Sequence, residues 1–135
     1  MRIRKSRKAD LPQIISLAKK YELDYTGMVS DDFWVAAEGP KILGIVGLKE
    51  HPDCVELCAL GVDEARRKRG LGRELVLALL KKAKGDIYLA TIIPFFFEKL
   101  GFHQASLIPA SMVKKSDWCK GCRKDLCTVM IKSRP

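Results

Sequence analysis

A chain of 135 residues, 47% hydrophobic and 30% charged, is long enough for one domain with a buried core, and its composition excludes a disordered or fibrous protein. No apolar run approaches the roughly 20 residues of a membrane helix, and the basic start Met1 to Lys8 has no apolar stretch behind it, which argues against a secretory signal and for the cytoplasm. A net charge of +9 suits a polyanionic ligand, yet the few aromatics are not interleaved with Lys and Arg, so nucleic acid is not the expected partner.

Met1 to Arg7 alternates as a first strand with Ile3 inward. Asp10 reads as a helix N-cap with Pro12 just inside, and Leu11, Ile14, Ile15, Leu17 and Ala18 carry a helical period through Lys20. Tyr21 to Asp31 reads as loop or short helix. Asp32 to Glu38 and Ile42 to Lys49 read as strands joined by a hairpin turn at Gly39-Pro40-Lys41. Val55 to Val62 is a third antiparallel candidate, apolar except at Glu56. A helix from about Gly70 to Lys84 follows, with Leu71, Leu75, Val76, Leu79 and Leu80 on its apolar face. Ile87 to Ala90 is a strand, Pro94 to Leu100 a helix closed by Gly101, and another strand follows Gly101. Asp117 to Cys127 reads as loop and Leu126 to Ile131 as a final strand. The order β-α-β-β-β-α-β-α-β-β, without repeat or linker, predicts one α/β or α+β domain over 1–135, with helices covering a mixed sheet.

The junction after Val62 carries the chemistry. Gly70 and Gly72 remove side chains at a helix start, where unpartnered N–H groups and the helix dipole favour an anion. Arg67, Lys68, Arg69 and Arg73 surround the same spot with positive charge. The spacing fits neither a Walker loop nor a dinucleotide fingerprint. Arg67-x-x-Gly70-x-Gly72 instead resembles the acetyl-CoA pyrophosphate loop of the GNAT family of N-acetyltransferases. About 30 residues on, Phe95-Phe96-Phe97-Glu98-Lys99-Leu100-Gly101-Phe102 is similar to a second block of that family. The order of elements matches as well, so the resemblance covers nearly the whole chain.

The resemblance implies an α+β fold with a mixed, mostly antiparallel sheet of six to seven strands flanked by helices. It implies acetyl-CoA as acetyl donor and a small-molecule primary amine as acceptor, glutamate or another amino acid among them. Arg67, Lys68, Arg69, Gly70, Leu71, Gly72 and Arg73 would hold pyrophosphate, Leu60 and Val62 the pantetheine arm, and Phe97 would lie beside that arm. Glu56 would be the general base. Its strand of Val55, Leu57, Cys58, Ala59 and Leu60 gives it apolar company, which suits proton transfer. Many relatives place a Tyr where this chain has Phe97, which has no proton to give; Tyr88 and Cys58 are substitute candidates. The Phe-Phe-Glu-Lys-Leu-Gly-Phe run, with the segment Val55 to Val62, resembles the short N-acetylglutamate-synthase-like branch. Arg2, Arg4, Lys49 and Lys114 are the basic residues offered to an acidic substrate.

Five cysteines are an odd number for a disulfide framework. Cys119-x-x-Cys122-x4-Cys127 offers three thiolates with His103 as a fourth ligand, but only one clean Cys pair exists, so no metal is expected. Two other readings stay open at this point: a non-catalytic acetyl-CoA sensor, and a basic nucleic-acid or protein-binding module with a zinc knuckle. A homodimer is compatible with all of them.

Overall fold

The computed structural model describes residues 2–65, 70–113 and 127–133. Among them lie seven strands, β1 (Arg2–Lys5), β2 (Phe33–Glu38), β3 (Lys41–Glu50), β4 (Val55–Val62), β5 (Ile87–Thr91), β6 (His103–Gln104) and β7 (Thr128–Lys132). Three α-helices accompany them, α1 (Leu11–Lys20), α2 (Leu71–Lys82) and α3 (Pro94–Glu98). This is the expected α+β class. The chain forms two compact units, Met1–Lys49 with Leu57–Ala83, and Glu50–Glu56 with Lys84–Pro135.

In the first unit the strands pair in the order β1-β2-β3-β4. β1 and β2 are antiparallel, as are β2 and β3. The β2–β3 register slips at one point: Ala36 faces Gly44, but Ala37 faces Ile42. The extra residue, Leu43, makes a bulge that brings Ile42 and Ile45 to the same face, because one inserted residue inverts the two-residue side-chain period. On that face Ile42 and Ile45 join Phe33, Val35 and Ala37 and meet Ile14, Leu17 and Ala18 of α1. The opposite face is taken by α2. A Cβ on Gly44 would lie 2.9 Å from Leu75 Cδ1 and 3.5 Å from Ala36 Cβ, so a side chain there would push the tip of Leu75 aside. With a helix on either side, residues 42–47 are buried without alternation, as in a strand covered on both faces. Gln13 of α1 clamps the β2–β3 turn, donating to Pro40 O at 2.9 Å and accepting from Ile42 N at 2.9 Å.

Asp10 does not cap α1. Its carboxylate accepts from Arg4 at 2.7 and 3.1 Å and from the Arg7 amide at 2.8 Å, and it makes no cap bond to the helix. A two-pronged charge-assisted contact outcompetes the neutral amide of a helix end. The helix start is instead reached through a one-turn 3-10 helix, Lys8–Asp10, which runs directly into Leu11. Arg4 is thereby removed from the set of cations open to a substrate.

In the second unit the pairing order runs from the first residues of β4 through β5 and β7 to β6. β5 and β7 are antiparallel, as are β6 and β7. β4 is parallel to β5, with Glu56 opposite Tyr88, which makes the sheet the mixed one expected. The chain between β4 and β5 passes through α2, the kind of crossover a parallel pair requires. Ala105, Met112 and Val129 form the core here, with Cys54, Tyr88, Ala90 and Ile131 against them. Tyr88 is thus a packed strand residue. Most of the Asp117 to Cys127 loop lies outside the described residues.

The Arg4–Asp10 pair gives a pH signature. The Asp10 carboxyl is held below its ordinary value, first by the Arg4 hydrogen bonds. Its contribution is therefore complete above the unfolded value near about pH 4 and is lost as pH falls through the depressed one. Asp10→Asn is expected to melt below the parent at neutral pH and to converge with it in strong acid, measured by thermal unfolding across that range.

Candidate active site

The first unit holds the turn from strand to helix. Val62 is buried and Leu60 half-buried near the end of β4. Ahead of them Ala59 has φ +52°, a left-handed alanine inside an eight-residue strand and the local signature of a bulge. After β4 the backbone is tied down in three places. Asp63 N donates to Leu43 O at 2.8 Å, Ala65 N donates to Asp63 Oδ1 at 3.0 Å, and Glu64 N donates to the Tyr21 hydroxyl at 3.1 Å. Arg67, Lys68 and Arg69 lie outside the described residues.

Gly70 opens α2 with φ +72°. That left-handed position is open to glycine at little cost, and glycine brings no capping side chain. The first-turn amides, those of Leu71, Gly72 and Arg73 among them, thus lack the oxygen that Ser or Asp at this position would supply. Leu71, Leu75, Val76 and Leu79 are buried, which fixes the helix from one side. Arg73 is exposed beside the amides. The arrangement fits a diphosphate: first-turn amides that Gly70 leaves without a side-chain cap, the positive end of a twelve-residue helix, and a guanidinium within one turn.

The second unit holds the carboxylate that the sequence offers as a base. Glu56 stands on β4, its side chain 15% exposed, with Oε1 2.8 Å from His51 Nε2. His51 sits just beyond β3, and its amide donates to Cys54 O at 2.8 Å to close the turn that brings it beside Glu56. Sequence reading missed His51. The available signal was its position: five residues before Glu56, with a Pro-Asp turn between.

The same turn holds Asp53 and Cys54. Asp53 Oδ2 accepts from Ser111 N at 3.1 Å, and contacts with Ser111 keep its carboxyl below the ordinary value. Burial, with the negative charge of Asp53 next, pushes the Cys54 thiol up to about 11. It is a thiol at neutral pH and no nucleophile.

Phe97 is buried, its ring set edge-on to Phe96 at 4.9 Å and to Phe102 at 5.7 Å between centroids. Its carbonyl accepts from Phe102 N at 3.1 Å while Gly101 N donates to Glu98 O at 3.1 Å. This is a Schellman closure with Gly101 at φ +97°. Upstream, Thr91 Oγ1 accepts from Ile93 N at 2.9 Å just before Pro94.

Of the other sequence candidates, Cys58 packs against the α1-side core of the first unit. Lys49 Nζ stands 4.7 Å from the Tyr25 ring centroid. Cys119, Cys122 and Lys114 fall outside the described residues, Cys127 is buried and His103 is exposed. Among the described residues no group of three His, Cys, Asp or Glu is placed to hold a metal. None of their helices is long and apolar enough to cross a membrane.

The sequence model of the acetyltransferase (GNAT) family matches residues 3–102, and the chain belongs to that family, the acetyl-CoA-dependent N-acetyltransferases. Acetyl-CoA is its acetyl donor. Three solved structures are similar in fold. Rv2747 from Mycobacterium tuberculosis, determined with CoA, is 21% identical with TM-score 0.76, each chain covered in full. N-acetylglutamate synthase from Neisseria gonorrhoeae, with coenzyme A and N-acetyl-glutamate, is 18% identical with TM-score 0.75; the match covers 98% of this chain and 34% of that one. Aminoglycoside 6'-acetyltransferase type Ii is 21% identical with TM-score 0.67, each chain again covered in full. No protein of curated function matches the sequence.

Two outcomes follow from this geometry. At Gly70 a Cβ meets nothing within 4 Å among the described residues, so Gly70→Ala carries the left-handed penalty and should lose about 1–2 kcal/mol in urea unfolding. Cys54→Ala should leave acetyl transfer within about twofold, and iodoacetamide labelling of Cys54 in the parent should stay slow at pH 8 and accelerate only toward the thiol's value of about 11.

Proposed function

We propose that this enzyme acetylates the α-amino group of a small amino acid, glutamate before others, with Glu56 as general base. The observation that carries the acid–base role is the Glu56 carboxylate itself: ionisable, largely but not wholly shielded from water, and anchored through one oxygen, with the other left for a substrate or water. The likeness to a synthase solved with N-acetyl-glutamate supports the choice of acceptor.

An ammonium cannot attack, so the acceptor must first give up a proton. Glu56 takes it at Oε2, directly or through one water, a service worth about 10²–10⁴ in rate. The coenzyme supplies the acetyl group as a thioester. The backbone around Leu60 and Val62 holds the pantetheine arm, and Phe97 is assigned to the same arm through packing. Arg67, Lys68, Arg69, Gly70, Leu71, Gly72 and Arg73 hold the diphosphate, a role supported by the glycine opening of α2. Phe97 brings no proton to the departing sulfur, which leaves as thiolate; a thiol value near about 8.5 makes that feasible. Residues 1–135 serve as one acetyltransferase domain, supported by full mutual coverage with Rv2747. The odd cysteine count suits the cytoplasm.

Thermal melting with acetyl-CoA, followed by thiol release across amino acids, polyamines and peptides, tests the reading. Acetyl-CoA should raise the melting temperature, and glutamate should give the highest kcat/KM. Glu56→Gln should cut kcat at neutral pH by about 10²-fold or more with the coenzyme-induced shift intact. A polyamine as best acceptor, or a Glu56→Gln enzyme of parental rate, would refute it.

A further inference from the structure

We infer that His51 is a positioning residue: it clamps one oxygen of Glu56 so that the other faces the proton it removes. The inference rests on the reading of Glu56 as base and goes beyond it, since it concerns how that carboxylate is aimed.

Only two histidines occur in the chain, and this one is placed by backbone geometry. The bond from His51 N to Cys54 O closes a four-residue turn between β3 and β4, which sets residue 51 beside the start of β4. The imidazole Nε2 then lies 2.8 Å from Glu56 Oε1. An ionised carboxylate only accepts, so Nε2 must carry the hydrogen. In the neutral ring Nδ1 is therefore bare, and the ring donates in either charge state.

A glutamate side chain loses rotamer freedom when held in one pose. Misplacing a reacting group by about 1 Å can cost about 10² in rate, so a fixed anchor matters more than its own bond strength suggests. At 16% and 15% exposure the two side chains are shielded enough that water does not readily replace the contact. His51 is also the one hydrogen-bond partner of the Glu56 side chain among the described residues. The neighbouring groups do not compete. Asp53 is engaged by Ser111, and Cys54 stays protonated.

Three variants and their combination test this with the acceptor that the activity screen ranks first. H51A should lower kcat about tenfold at saturating acetyl-CoA and leave the acetyl-CoA KM within about twofold. H51Q, which keeps an N–H donor, should restore kcat to within about threefold of the parent. H51A/E56Q should be no slower than E56Q alone, because a residue acting through Glu56 has nothing left to aim. If H51A melts far below the parent, H51F, which keeps ring bulk without the donor, replaces it. Parental kcat in H51A or H51F with a collapsed E56Q overturns the positioning role and leaves the base intact. A further tenfold loss in the double variant, or no rescue by H51Q, also overturns it. Parental kcat in E56Q instead removes the underlying reading of Glu56.

Discussion

Leu75 rests on the bare backbone of Gly44, and that close approach helps seat α2 in its unit. A side chain at residue 44 would have to displace the tip of Leu75. Its neighbours Leu71, Val76 and Leu79 are buried with it, so the helix cannot rotate without exposing apolar surface worth about 1.5–3 kcal/mol per side chain. The amino end of α2 is therefore fixed relative to β3 by packing, before any charge is considered. Its open amides inherit that position. The ties at Asp63, Glu64 and Ala65 fix the chain entering the turn in the same way.

The turn between β3 and β4 sorts chemistry with equal economy. Within six residues it sets a histidine, an aspartate, a cysteine and a glutamate, in differing surroundings. Asp53 is tied to a backbone amide and holds its charge. Cys54 is packed against apolar neighbours and keeps its proton. Glu56 combines partial access to water with a side-chain anchor, His51. Burial and partners, rather than residue type, decide which of these groups is fit for proton transfer.

Much of this was legible in the sequence because it is local. Alternation and helical period located the elements, with ends displaced by at most two residues: the predicted helix from Gly70 to Lys84 spans Leu71–Lys82, and the last strand is Thr128–Lys132. Gly101 as a helix stop follows from chain chemistry alone, and the Schellman bonds agree. What was missed depends on pairing at a distance. Asp10 looks like a cap until Arg4 is beside it, and the parallel pairing of β4 with β5 joins strands far apart in sequence. His51 is marked in the sequence only by its place five residues before Glu56, and the register of a hairpin makes it a neighbour. Of the two motifs that carried the resemblance, the Pro94 to Gly101 block is described in full. Three of the four cations around the diphosphate turn fall outside the described residues.

The left-handed alanine in β4 has one more implication. Ala59 occupies a conformation that most side chains avoid, at a standing expense of roughly 1–2 kcal/mol. Glycine would enter that shape more easily, but it would also wander more freely when the chain is unfolded. With a methyl group there, the kink belongs to the resting enzyme. A molecule docking on this stretch meets a finished contour and is spared the entropy of shaping it.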